Sequence, residues 1–209
     1  MAMVAFPLQP LIVFAFAFIQ PEVPLSEADS VYALGRLGWL RQLGFVATGI
    51  GSLAIALGLS RSLAPGRRVL LAVVLLALGG VAQIGVGLFE TDLPEEVERT
   101  GLTFSRLMHI LLALLSFVTI TVGLFVLWRV FARDPRWHTM ARPTRWIAWW
   151  SVIEFVATLV GGGIAQRFLS LPGFAYATFV GWRIRHLGPR AVRPTARSTS
   201  PEGPLSSSA

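Results

Sequence analysis

Residues 89–112 read FETDLPEEVERTGLTFSRLMHILL, and here the chain stops being plain hydrocarbon and becomes chemically specific. Glu90, Asp92, Glu95, Glu96 and Glu98 share a loop with Arg99, and then Arg106 and His109 enter an apolar run. Working outward, the sequence on both sides holds several apolar runs of roughly 18 to 23 residues, each of these long enough to cross a ~30 Å hydrocarbon core as a helix. A charged loop between such runs predicts an all-α integral membrane protein.

Composition agrees. A length of 209 residues suggests one domain or one compact bundle. Hydrophobic residues make up 54% and charged residues 14% of the chain, and the mean hydropathy is +0.66. An ordinary soluble domain carries about 25% charged residues. There is no cysteine, which excludes disulfides, thiolate catalysis and cysteine-ligated metals. All 18 basic residues are arginine, and the net charge is +7. A nucleic-acid binder would gather that charge on one patch of a soluble domain. Here the arginines lie between apolar runs, so they set orientation in a membrane and imply no nucleic-acid partner.

The expected spans are about 2–19, 38–59, 69–88, 107–130, 146–165 and 168–182. The first contains Pro7 and Pro10. A cleaved signal peptide is the alternative there, but no basic residue precedes its apolar core and no clear small-x-small site follows it. In the second, Gly44, Thr48, Ser52 and Ala56 recur four apart, a small-residue face that lets helices approach closely. Trp146, Trp149 and Trp150 read as interfacial anchors of the fifth. Gln166 and Arg167 predict a tight turn before the sixth, and Pro172 a kink near its start. Residues 1–187 thus form one transmembrane domain. Residues 188–209, rich in Arg, Pro and Ser, predict a disordered tail. The second and fourth loops and the tail are arginine-rich, whereas the first and third loops are acidic. A six-helix bundle with both termini cytoplasmic (N-in/C-in) follows.

Three stretches carry a family resemblance: DSVYALGRLGWLRQLGFVATGIGSLAIALGL from Asp29, GVGLFETD from Gly85 with the approach to RLMH at Arg106–His109, and GGIAQRFLSLPGF from Gly162. Together they resemble the domain-of-unknown-function 998 family, over about residues 26–187. Glu90 stands where that pattern would have a proline. The resemblance implies a six-helix bacterial membrane protein of no assigned activity, in the inner (plasma) membrane.

With this topology, Arg41, Gln83, Asp92, Arg106, His109 and Arg167 fall within about two helical turns of the outer face. Charges near a membrane boundary usually pair. These six residues therefore read either as an outward-facing pocket for a small ligand or lipid headgroup, or as an ion-pair clasp holding helix ends together. His109 shares a face with Arg106, and Asp92 is the acid expected to hydrogen-bond it. His138 and His186 lie at the opposite end, so two-histidine haem ligation and a three-histidine zinc site are not expected, nor is any other cofactor. Ser105 and Ser116 share the His109 face, which leaves a serine–histidine pair conceivable. Glu154 falls deep within the fifth span, where a carboxylate is costly and marks function or a helix tie. Ser151, Thr158 and Gly161 share its face, and Tyr176 is at a depth to donate to it.

Three readings stay open. The first is a protein that binds or transports a small amphiphile or lipid component through the outer pocket. The second is a non-catalytic accessory or assembly subunit, forming homo- or hetero-oligomers through small-residue faces. The third, weaker, is an intramembrane hydrolase of lipid.

Overall fold

A computed structural model describes residues 1–93, 97–99 and 101–190. Glu95 and Glu96 of the acidic loop, and all but the first three residues of the expected tail, lie outside the described residues.

Among the described residues the chain is all-helical. The helices are α1 (Ala2–Ile19), α2 (Gly38–Ser62), α3 (Arg67–Leu88), α4 (Phe104–Phe131), α5 (His138–Leu169) and α6 (Leu171–Leu187), with a 3-10 turn at Asp29–Leu34. The five helices α1 to α5 are each long and apolar enough to cross a membrane, and α6 has 17 residues. Leu70, Val81, Leu115 and Ile153 are exposed on their outer faces, while Arg41, Thr48, Ser52 and Ser116 are buried. This inverts the soluble pattern, as a hydrocarbon solvent requires.

Neighbours in sequence pack as neighbours in space, and α1 closes the arrangement by lying against both α2 and α6. The α2–α3 crossing is close because it has no side chains between backbones. A Cβ on Gly49 would stand 2.5 Å from the Gly80 carbonyl oxygen, and one on Gly80 would stand 2.8 Å from that of Gly49.

α5 begins eight residues before the expected Trp146, inside a segment that reads as loop by charge. Trp137, Met140, Ala141, Thr144 and Ala148 are buried at helical spacing, with Arg142 and Arg145 exposed between them. That amphipathic pattern suits a helix end leaving the hydrocarbon. Trp137 stacks on Phe131 at 4.6 Å and 8° beneath it.

The chain reverses at Gly162, not at Gln166–Arg167. Gly162 has φ 57° and ψ −146°, a conformation that L side chains rarely adopt. Beyond it Trp150 Nε1 donates to the Leu169 carbonyl at 2.7 Å, and the Thr144 and Tyr176 hydroxyls meet at 2.6 Å. Nineteen residues of straight helix would separate Trp150 and Leu169 by about 28 Å. Residues 163–187 are therefore a returning limb, antiparallel to 138–161 and broken only at Ser170. The polar Gln166–Arg167 pair reads as a turn, but it lies within that limb and holds another loop.

The arginine-rich end is tied by Arg136. Its guanidinium donates to the carbonyls of Ser62, Leu187 and Gly188, where α2 and α6 end with unsatisfied groups. Arg190 pairs with Asp134 at 2.8 Å and donates its backbone N–H to Arg61.

Candidate functional site

At the opposite end, the connection between α1 and α2 folds into a cap. Tyr32 and Gln20 are fully buried. Gln20 Nε2 donates to the carbonyls of Tyr32 and Arg36, and Phe16 packs on the Tyr32 ring at 5.6 Å. Arg41, also fully buried, donates to Asp29 Oδ2 at 2.5 Å and to the Asp29 carbonyl, with its guanidinium 3.7 Å from the centre of the Phe45 ring. From the other side, Asp29 N–H donates to Gln166 Oε1 and Gly163 N–H donates to the Ser26 carbonyl. Arg167, 3% exposed, donates to the carbonyls of Leu25 and Glu27 and lies over the Tyr32 ring. A Cβ on Gly163 would stand 1.7 Å from the Glu27 carbonyl oxygen, so the cap seats only against glycine. The DSVY…R and GGIAQR stretches are thus two halves of one fastening.

The FETD and RLMH stretches fold on each other beside it. Asp92 accepts from Thr103 N–H and Oγ1 at 3.1 and 2.8 Å, and Thr103 in turn caps α4 by accepting from Arg106 N–H. Arg106 Nη1 donates to the Asp92 carbonyl and Ser105 Oγ to that of Glu90. The Glu90 carboxylate, in the place where the family pattern would have proline, accepts from Gln42 at 2.7 Å and joins the loop to α2. His109 Nδ1 lies 2.8 Å from the Phe89 carbonyl. A carbonyl only accepts, so Nδ1 carries the proton and Nε2 is the ring's remaining polar atom. The expected His109–Asp92 hydrogen bond does not form, because the Nδ1 donor is spent on the Phe89 carbonyl while Asp92 accepts from Thr103.

Beneath the cap lies an interior cavity of about 740 Å³, lined by residues from all six helices. Its wall is mostly apolar, with polar groups at Asp29, Gln83, His109, Glu154, Gln166 and Tyr176. Size and lining are those of a small-molecule site. On one side α4 and α5 are joined by the Phe117–Phe155 stack at 4.6 Å. Above that stack Ile110, Leu114 and Leu159 line the cavity, yet their surfaces are 44%, 43% and 71% exposed. The cavity therefore opens sideways between α4 and α5, on the capped half of the bundle.

The six residues expected together all lie on the capped half of the bundle, but in two roles. His109 and Gln83 line the cavity, with Gln83 Oε1 accepting from Ser116. Arg41, Asp92, Arg106 and Arg167 do not line it and are fasteners of the cap and of the α3–α4 loop. Glu154 lies on the cavity wall with Ser151 and Thr158, while Gly161 is exposed. The Phe117–Phe155 stack sets Glu154 level with Val118, about 14 Å along α4 from His109. Tyr176 lines the same cavity, but its hydroxyl pairs with Thr144 rather than Glu154. Sequence reasoning passed over Asp29, an acid in a connection. The usable signal was Arg41, which, when buried, requires a partner of opposite charge. No group of three or more His, Cys, Asp or Glu able to hold a metal occurs among the described residues.

Apolar helices around a polar-lined interior define a helical membrane protein. Residues 3–183 match the family described as protein of unknown function (DUF998), and the chain belongs to that family. No curated protein and no solved structure matches the chain.

Proposed function

We propose that the chain is a six-span protein of a bacterial plasma membrane, both termini cytoplasmic, with residues 1–187 forming one transmembrane domain. In this reading it binds or moves a small amphiphile or lipid component. The arginines gathered at the end opposite the cap support the sidedness, and the returning limb after Gly162 supports the sixth crossing. The observation that carries the function is the interior cavity of about 740 Å³, mainly apolar, dotted with polar groups, and open sideways on the capped half of the bundle. An amphiphile can enter there without its chain leaving hydrocarbon.

The test is native mass spectrometry of the gently extracted protein, compared with Ala113→Trp, which fills the cavity, and Arg106→Ala, which loosens only the α3–α4 loop. The expected result is a specific species bound to wild type and to Arg106→Ala but lost in Ala113→Trp. Nothing beyond bulk phospholipid in wild type would favour the second reading, an accessory subunit. That reading has its own support, because four of the six expected site residues fasten loops. The hydrolase reading has no support in the triad geometry, since Asp92 engages Thr103 and His109 engages Phe89.

A further inference from the structure

We propose that the ligand of this cavity is an amphiphile with a cationic, amine-type head, received by Glu154 and the free oxygen of Asp29. The proposal deepens the reading above and rests on it. Among the described residues on the wall the only acidic side chains are these two, and no arginine is among them. Asp29 is 7% exposed. Its Oδ2 is engaged by Arg41, but its Oδ1 is buried without a hydrogen-bond partner. Glu154 has no hydrogen bond or ion pair among the described residues, and it lines the same cavity as Asp29.

The nearby positive charges stand behind the wall. Arg41 balances Asp29, and Arg167 faces the carbonyls of Leu25 and Glu27. Glu154 is left as an acid with no basic partner on the wall, in a place where an isolated carboxylate is costly.

Several hydroxyl groups on the wall are already committed. Thr48, Ser52 and Ser151 donate to carbonyls of their own helices, Ser116 to Gly79 and Gln83, and Tyr176 pairs with Thr144. Acceptors on the wall with no hydrogen bond among the described residues include Glu154, Asp29 Oδ1 and His109 Nε2. An ammonium head brings several N–H donors together with the missing counter-charge. A phosphate or sulfate head brings neither and would face two carboxylates.

The test uses the full chain in nanodiscs of zwitterionic lipid, titrated with three amphiphiles of the same chain: tetradecylamine, tetradecyl glucoside and tetradecyl sulfate. Binding is read by native mass spectrometry. Charge-assisted hydrogen bonds predict tetradecylamine binding about tenfold or more tighter than the glucoside, with the sulfate weakest. Glu154→Gln should bring the amine to the level of the glucoside and leave the glucoside unchanged. Equal or tighter binding of glucoside or sulfate to wild type overturns the proposal, and so does an amine affinity indifferent to Glu154→Gln. Should that variant fail to fold, the head-group series on wild type decides alone. If no amphiphile binds saturably, the cavity reading itself fails along with this one.

Discussion

Arg41 and Asp29 form a buried ion pair in which neither charge has a substitute partner. Removing one side of such a pair costs about 3–5 kcal/mol because the other charge is left uncompensated, whereas replacing both by apolar groups is often neutral. Arg41→Met should therefore lower the thermal unfolding midpoint in detergent sharply, and Asp29→Leu/Arg41→Met should recover most of the loss. Tyr176→Phe removes one hydroxyl pair with Thr144 and should cost about 1 kcal/mol by the same assay. At this scale the sequence was informative about which residues matter and less so about what they touch. Arg41, Arg167 and His109 stood out as polar groups in apolar runs. Their partners are backbone carbonyls and an acid in a loop, and neither has a periodicity from which a contact can be read.

Among elements, the cap and the returning limb depend on each other through Gly162 and Gly163. Gly163→Ala places a Cβ against the Glu27 carbonyl, while Gly173→Ala meets nothing within 4 Å. Limited proteolysis of the 20–37 connection should accelerate in Gly163→Ala and stay at the wild-type rate in Gly173→Ala. Equal rates in both would mean that the cap is held elsewhere. The long apolar runs made α1 to α4 legible, because hydrocarbon thickness dictates their length. The start of α5 was not, because its first turns are amphipathic, and charge masks a helix that only its spacing reveals. The reversal was misplaced for a related reason. Polarity at Gln166–Arg167 resembles a turn, whereas the actual turn needs only a backbone able to adopt positive φ.

For the whole molecule, the absence of cysteine makes sidedness directly measurable. Single cysteines at Ser26, in the capped end, and at Pro65, in the arginine-rich end, should react differently with a membrane-impermeant maleimide in intact cells. Labelling at Ser26 and protection at Pro65 is the expected outcome, and the reverse pattern would invert the proposed topology.

The contacts of α1 have a consequence for biogenesis. Phe6 meets Phe174, Phe14 meets Phe168, and Ala2 lies where a Cβ on Gly181 would stand 3.1 Å away. α1 thus waits for α6, made much later, before one of its faces is covered. Joining ends so distant in sequence raises contact order and places this step late in folding. Until then a chain with five helices inserted would keep that face open to any helix that passes, and a chaperone or insertase would have its strongest claim on the protein in that interval.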